Sequence, residues 1–168
     1  MIYLLFGEMG VGKNYIGEMF AKKLGCPFFD GDDVMPDDMR KRVEKFKSLP
    51  DEIITKFVEK NLIPEILNLS TRKPDLVVAQ ALYRKKYRDM IVNACMTMED
   101  AITLIYIKPE GFFKHMSCIM KRPKGLRWAT YCLLSKPFFQ KPNDDVLEVV
   151  SDNFYNISCQ LNNFDTRW

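Results

Sequence analysis

Residues 2–14 read Ile-Tyr-Leu-Leu-Phe-Gly-Glu-Met-Gly-Val-Gly-Lys-Asn, and this stretch decides the fold. Five apolar residues predict a buried strand, the glycines that follow predict a tight turn, and a helical pattern begins at Tyr15. The glycines at positions 7, 10 and 12, together with Lys13, match the phosphate-binding loop G-x-x-x-x-G-K-[ST]. The last position departs from that pattern, because Asn14 replaces the hydroxyl residue.

Such a loop binds phosphate for physical reasons. Glycines let the backbone turn its N–H groups inward around an anion, and the helix that follows points the positive end of its dipole at the same place. Lys13 adds a charge that can reach the β- and γ-phosphates. A glycine turn that binds nothing is the alternative, but the position between a strand and a helix favours a nucleotide site. The candidate nucleotide-binding residues are Gly7, Gly10, Val11, Gly12, Lys13, Asn14 and Tyr15.

Strand and helix patterns alternate along the rest of the chain. Strands are predicted at 2–6, 26–29, 75–81, 101–107 and 146–150, and helices at 14–24, 37–46, 51–69 (interrupted near Pro64), 84–95, 110–120 and 128–135. This alternation predicts a three-layer α/β/α fold in which helices cover both faces of a five-stranded parallel sheet. Five strands together with a phosphate loop and a lid-like loop are typical of a P-loop kinase-type domain. We expect residues 1–168 to form one domain, with a mobile lid at about 121–142.

Composition excludes several classes of protein. The chain has 168 residues, 47% of them hydrophobic, and a net charge of +3, which is too small to argue for nucleic acid or a membrane surface. Its five cysteines have no metal-ligand spacing, so a reduced, cytoplasmic location is expected. No apolar run is long enough for a membrane span. The basic cluster at 84–88 has one aromatic residue, Tyr87, and does not form the aromatic stacking platform of a nucleic-acid site.

An acidic cluster, Asp30-Gly-Asp-Asp33, follows the second predicted strand. In an open parallel sheet ligands bind outside the carboxyl ends of the strands, where the phosphate loop also lies. Carboxylates beside a triphosphate can bind a divalent cation or accept a proton from an attacking hydroxyl. A solvated acidic turn that caps the next helix is the alternative.

At this point the chain resembles the gluconate kinase (gluconokinase) family of P-loop small-molecule kinases, to which the shikimate kinases are structurally related. The resemblance begins with the phosphate loop and continues with Phe-x-Asp-Gly-Asp and a nearby proline. Residues 76–89, Leu-Val-Val-Ala-Gln-Ala-Leu-Tyr-Arg-Lys-Lys-Tyr-Arg-Asp, are similar to that family's val-val-ala-cys-ser-ala-leu-lys … tyr-arg-asp run. Lys121-Arg-Pro-Lys-Gly125, Leu133-Leu-Ser135 and Gln140-Lys-Pro142 resemble its lid, so the likeness extends from Ile2 to about Asn153.

The resemblance implies ATP-dependent phosphorylation of a hydroxyl on a small sugar acid, with Mg²⁺ as the metal. It implies that Asp32 is the catalytic base and that Lys13 and a lid cation stabilise the transferred group. Arg122 is the favoured lid cation, with Lys124 and Arg127 as alternatives, although the family's arginine falls at Pro123 here. The implied metal residues are Asn14 and Asp30, and the implied substrate residues are Asp32, Arg84 and Arg88. The resemblance leaves a homodimer open.

Four departures from the family pattern leave other readings open. Asn14 replaces a metal-binding hydroxyl, Met35 a histidine, and Gln80 and Tyr83 a serine and a lysine. The acceptor can therefore differ from gluconate, or the chain can be a degenerate kinase that acts as a nucleotide-binding or interaction module with little or no catalysis. A shikimate- or nucleoside-monophosphate-type kinase is a further alternative. We expect His115, the only histidine, to be a surface or packed residue and not a catalyst.

Overall fold

A computed structural model describes residues 1–97, 101–142, 146–152 and 154–165 of the chain. Strands and helices alternate through most of these residues, as the sequence predicts. The strands are β1 Ile2–Phe6, β2 Phe28–Asp30, β3 Leu76–Gln80, β4 Ile102–Pro109 and β5 Leu147–Ser151. The helices are α1 Lys13–Leu24, α2 Asp37–Glu44, α3 Asp51–Phe57, α4 Ile63–Ser70, α5 Lys85–Thr97, α6 Phe112–Met120, α7 Gly125–Ser135 and α8 Phe154–Asp165. None of the helices in these ranges is long and apolar enough to cross a membrane.

The five strands form one parallel sheet in the order β2-β3-β1-β4-β5, which confirms the predicted sheet. β1 is central, and its Leu4 lies opposite Val78 of β3 and Leu104 of β4. Because all strands run the same way, their carboxyl ends meet at one edge. The phosphate loop after β1 and the acidic cluster after β2 are therefore placed on that same edge.

The two faces of the sheet bury different side chains, since successive residues of a strand point to opposite faces. Leu4 and Phe6 of β1 belong to one core cluster, with Phe57 of α3, Ile66 of α4 and Ile91 of α5. The second cluster, on the opposite face, contains Leu5 of β1 with residues of α1 and α8, among them Ile16, Phe20, Ile157 and Leu161. All five residues of β3 are buried, as a strand covered on both faces requires. The three-layer α/β/α prediction is confirmed.

The predicted interruption near Pro64 takes the form of a π-helical turn. Helices α3 and α4 run on from one another through this turn at Val58–Leu62, directly before Pro64. Proline has no backbone N–H and its ring clashes with the carbonyl four residues earlier in a regular helix. The wider π turn accommodates that defect, so the helix continues where the sequence suggested a break.

The predicted loop at 121–127 is shorter than expected, because α7 begins at Gly125. A Cβ on Gly125 would lie 2.1 Å from the carbonyl oxygen of Met120, so only glycine allows α6 and α7 to meet this closely. The two helices enclose a small apolar cluster of Ile119, Ala129 and Cys132. We refer to residues 121–142 as the lid segment.

Candidate active site

The phosphate loop joins β1 to α1 through glycines in left-handed conformations. Gly10 has φ 81° and Gly12 has φ 87°, values that side chains other than glycine adopt with strain. A Cβ on Gly10 would also lie 2.7 Å from Cγ1 of Ile119 in α6. Within the described residues no side chain caps the N-terminus of α1, so its first N–H groups are left for an anion.

Lys13 is buried at the start of α1, where its Nζ donates a hydrogen bond to the carbonyl oxygen of Glu8 at 2.9 Å. Burial, with a smaller contribution from the charge of Arg122, lowers the pKa of this ammonium to about 8. The carboxylates of Asp32 and Asp30 oppose the shift. The lysine therefore lies folded across the loop, among the charged groups that the sequence analysis selected.

Met9, inside the loop, is held by side chains from three other parts of the chain. Its N–H donates to Tyr83 Oη at 3.0 Å, and its carbonyl oxygen accepts from His115 Nε2 at 2.7 Å. Cys132 Sγ lies 3.6 Å from the same oxygen, and Tyr83 Oη lies 3.4 Å from Ser135 Oγ. Burial raises the pKa of Tyr83 to about 12 and lowers the pKa of His115, so both are neutral hydrogen-bonding groups at neutral pH.

These contacts fix the loop relative to the lid segment. His115 is buried, and its contact with the loop explains why. The sequence analysis did not select Tyr83 as a site residue. Its one signal was the departure from the lysine of the resembled family, which showed that a different group stands at this position.

Asp30 ends β2 and organises the turn that follows. Its Oδ1 accepts from the N–H of Asp32 at 3.0 Å, which caps the 3₁₀ turn Gly31–Val34. Its Oδ2 accepts from the Asn14 amide nitrogen. Partial burial raises the pKa of Asp30. Asn14 thus presents its NH₂ group to the carboxylate that a metal would use.

The donor set fits Mg²⁺ only in part. This ion takes oxygen ligands and keeps several waters, and it is commonly held by one or two carboxylates together with substrate phosphates. Asp30 supplies such an oxygen, whereas Asn14 would have to turn its amide to do so. Among the described residues no group of three or more His, Cys, Asp or Glu side chains could hold a metal. Any Mg²⁺ here depends on the nucleotide for most of its ligands.

Asp32 is oriented by the end of the neighbouring strand. Its Oδ1 accepts from Gln80 Nε2 at 3.1 Å, and Gln80 is itself buried with its Oε1 bonded to the N–H of Ala81 at 2.6 Å. Arg40 Nη2 donates to the Asp32 carbonyl oxygen at 2.8 Å. The sequence analysis read Gln80 only as a departure, but the structure places it as the partner of the predicted base.

One cavity of about 820 Å³ brings most of the predicted residues together. Its lining includes Gly10, Gly12, Lys13, Asn14, Tyr15, Asp30, Asp32, Arg84 and Arg122. Gly7 and Val11 belong to the phosphate loop but do not line the cavity. A Cβ on Gly7 would lie 2.5 Å from the carbonyl oxygen of Ile107, and Val11 belongs to the sheet core. Arg84 is on the wall, where its Nη1 pairs with Asp51 Oδ1 at 2.6 Å.

Arg88, predicted to bind substrate, lies outside the cavity. It is buried with its guanidinium 4.6 Å from the centre of the Phe6 ring. Its Nη1 donates to the Leu82 carbonyl at 2.7 Å and its Nη2 to the Gln140 carbonyl at 2.8 Å. These contacts tie α5 to the lid segment, so Arg88 has a structural position here, and its contact with substrate stays a prediction.

Replacing Arg88 with methionine therefore lowers the free energy of unfolding. We expect a loss of about 2–4 kcal/mol, because two buried carbonyl oxygens lose charged donors while the apolar stem is kept. Urea unfolding of Arg88→Met measures this loss. The control is Arg84→Met, because Arg84 is a half-exposed residue of the same segment. Equal stability of Arg88→Met and the unmodified chain would contradict the structural assignment.

Comparison with known proteins shows that this chain is similar to small-molecule kinases. The family model described as shikimate kinase matches residues 9–110. The chain is 33% identical over 70 residues to a shikimate kinase of Macrococcus caseolyticus, a stretch that spans 42% of each protein. It is 29% identical over 153 residues to the thermoresistant gluconokinase of Escherichia coli, covering 89% of this chain and 82% of the other. The crystal structure of a gluconokinase from Sinorhizobium meliloti superimposes with a TM-score of 0.77 at 16% identity, covering 96% of this chain and 91% of that one, which is a likeness of fold.

Proposed function

The chain belongs to the shikimate kinase family and is a gluconokinase-like P-loop kinase, and from this premise we propose that it transfers the γ-phosphate of ATP to a hydroxyl of a small acid. One observation carries the proposal: Lys13, at the start of α1, and Asp32, in the turn after β2, line the same cavity. The predicted family likeness to gluconate and shikimate kinases is confirmed.

The proposed reaction assigns each group one task. The N–H groups of the glycine loop and of α1 bind the phosphates, and Lys13 neutralises charge on the transferred group. Asp32, held by Gln80, accepts the proton of the acceptor hydroxyl as its oxygen bonds to the γ-phosphorus. The bond from that phosphorus to the bridging oxygen breaks and ADP leaves. Arg122 is the proposed lid cation, and its charge already acts on Lys13.

Mg²⁺ and the acceptor complete the proposal. Mg²⁺ bound with the nucleotide would supply positive charge to the phosphates. Asp30, and Asn14 after its amide turns, are the residues that would hold it. Arg84 is suited to a carboxylate of the acceptor, because a guanidinium can bind both of its oxygens. A sugar acid is the acceptor class that the family likeness favours, and the lid segment is proposed to close over it.

The direct test is phosphoryl transfer. Purified protein, ATP and Mg²⁺ are mixed with gluconate, shikimate and other hydroxy acids, and ADP release is followed together with the phosphorylated acid by mass spectrometry. We expect acceptor-dependent ADP release for at least one acid. ATP binding without transfer to any acceptor would contradict the kinase proposal.

The contact between Asn14 and Asp30 favours a second candidate, a nucleotide-binding module with little catalysis. Such a module would bind ATP with an affinity that does not depend on Mg²⁺, because its metal ligand is occupied by the amide. Titration calorimetry with ATP, with and without Mg²⁺, separates the two. A kinase should bind the complex of ATP with Mg²⁺ more tightly than it binds ATP alone.

Replacing Asn14 with threonine restores a hydroxyl and frees Asp30. We expect the Mg²⁺ concentration for half-maximal ADP release to fall by about three- to tenfold, since the hydroxyl is a ligand that needs no rotation. Asn14→Ala is the control, because it removes the amide without adding a ligand. An unchanged Mg²⁺ dependence in Asn14→Thr would show that position 14 has no part in binding the metal.

A further inference from the structure

The cavity has two chemically different halves. The half beside the phosphate loop contains the charged groups described above. The other half lies between α2, α3 and the lid segment, and apolar side chains dominate its lining. Six of them, called the apolar wall below, are Met35, Val43, Phe46, Leu49, Ile54 and Leu134.

The apolar wall is open to the cavity. Val43, Phe46, Leu49 and Ile54 are only half-buried, although the last two also pack against the sheet core. Leu134 of α7 is 69% exposed. Burying such surface against a ligand is favourable in proportion to the apolar area removed from water.

Few polar groups accompany the apolar wall. The polar lining residues of this half of the cavity are Asp32, Ser48, Gln80, Arg84, Tyr87 and Tyr131. The two tyrosine hydroxyls are already bonded, that of Tyr87 to Asp51 and that of Tyr131 to the carbonyl oxygen of Lys47.

Both polar atoms of the Gln80 amide are already bonded, to Asp32 and to the N–H of Ala81. Arg84 pairs with Asp51 through Nη1, and its remaining N–H groups can bind one carboxylate. A polyol with a hydroxyl on every carbon would place several hydroxyls against hydrocarbon without hydrogen-bond partners. Each such hydroxyl lowers the affinity of the polyol for the cavity by about fivefold or more.

From this distribution we propose that the acceptor is a hydroxy acid with an apolar body, whose two polar ends are its carboxylate and the hydroxyl that is phosphorylated. The hydroxyl lies at Asp32, the carboxylate at Arg84, and the hydrocarbon between them contacts the apolar wall. This inference rests on the proposed function, because it describes the acceptor of that reaction.

A matched pair of acids tests the inference. Gluconate and 6-hydroxyhexanoate share a six-carbon chain, a carboxylate and a terminal hydroxyl, and they differ only in the four internal hydroxyls. Binding of each is measured by calorimetry in the presence of a non-hydrolysable ATP analogue. We expect 6-hydroxyhexanoate to bind at least tenfold more tightly.

Adjacent leucines of α7 supply matched variants. Leu134 lines the cavity and Leu133, which is 45% exposed, does not. Leu134→Gln should weaken binding of 6-hydroxyhexanoate by at least fivefold and leave gluconate unaffected, whereas Leu133→Gln should change neither. Because both side chains are exposed, neither variant should impair folding, which thermal unfolding checks.

The outcomes separate this inference from the kinase proposal. Gluconate binding as tightly as 6-hydroxyhexanoate, no binding of either acid, or equal effects of the two leucine variants would overturn the apolar acceptor. If gluconate is also phosphorylated, the kinase proposal stands without it. The expected binding preference without ADP release would support the apolar acceptor site and contradict phosphoryl transfer.

Discussion

Replacing Asp32 with asparagine is expected to lower turnover by about 10²–10⁴-fold, while the affinity for ATP stays within about twofold. The carboxylate is the proposed acceptor of the hydroxyl proton, and an amide cannot take that role. Asparagine has the same shape and keeps an oxygen that can accept the hydrogen bond from Gln80 Nε2, so the end of β2 should stay in place. Turnover is measured as acceptor-dependent ADP release, and nucleotide affinity by calorimetry.

The neighbouring Asp33 provides the control for this substitution. It is exposed in the same 3₁₀ turn and does not line the cavity, so Asp33→Asn should retain full turnover. Loss of activity in both variants would point to a damaged turn and not to a lost base. Full activity in Asp32→Asn would remove Asp32 from the mechanism.

The fold, the phosphate loop and the position of the acidic cluster could be predicted because their signals are local in the sequence. An apolar run, glycines at fixed spacing and a lysine at a helix start define the strand–loop–helix unit within 13 residues. The location of Asp32 near the phosphate loop was predictable for a similar reason, because a parallel sheet places the carboxyl ends of all its strands at one edge. These inferences need periodicity and topology, but no knowledge of which distant side chains meet.

The partners of these residues could not be predicted, because their contacts join distant parts of the chain. Tyr83 and His115 reach Met9 across 74 and 106 residues, and Gln80 reaches Asp32 across 48. The contacts of Arg88 could not be predicted for the same reason: the Tyr-Arg-Asp resemblance suggested an acid-binding group, whereas in the structure its donors bond to backbone carbonyls. A pattern in one segment does not reveal that a guanidinium is packed on Phe6.

Replacing Lys13 with methionine should lower ATP binding and turnover but raise the free energy of unfolding at neutral pH. We expect ATP affinity to fall by about a hundredfold and turnover by about 10²–10³-fold, because the charge that meets the phosphates is lost. Methionine keeps a similar length and packs in the same buried space. Lys22→Met, at an exposed position on the same helix, is the control and should change neither quantity.

The same variant should be more stable than the unmodified protein at neutral pH. Burial lowers the pKa of Lys13 from 10.5 to about 8, so keeping it charged in the folded state costs on the order of 3 kcal/mol below pH 8. Between about pH 8 and 10.5 the unfolded chain binds more protons at this position, so the stability of the unmodified protein rises with pH and the advantage of Lys13→Met shrinks. The hydrogen bond from Nζ to the Glu8 carbonyl offsets part of the gain. Urea unfolding of both proteins at pH 7 and pH 10 measures the difference, and a methionine variant less stable at pH 7 would show that the buried charge is better compensated, by Asp32 and Asp30, than its lowered pKa implies.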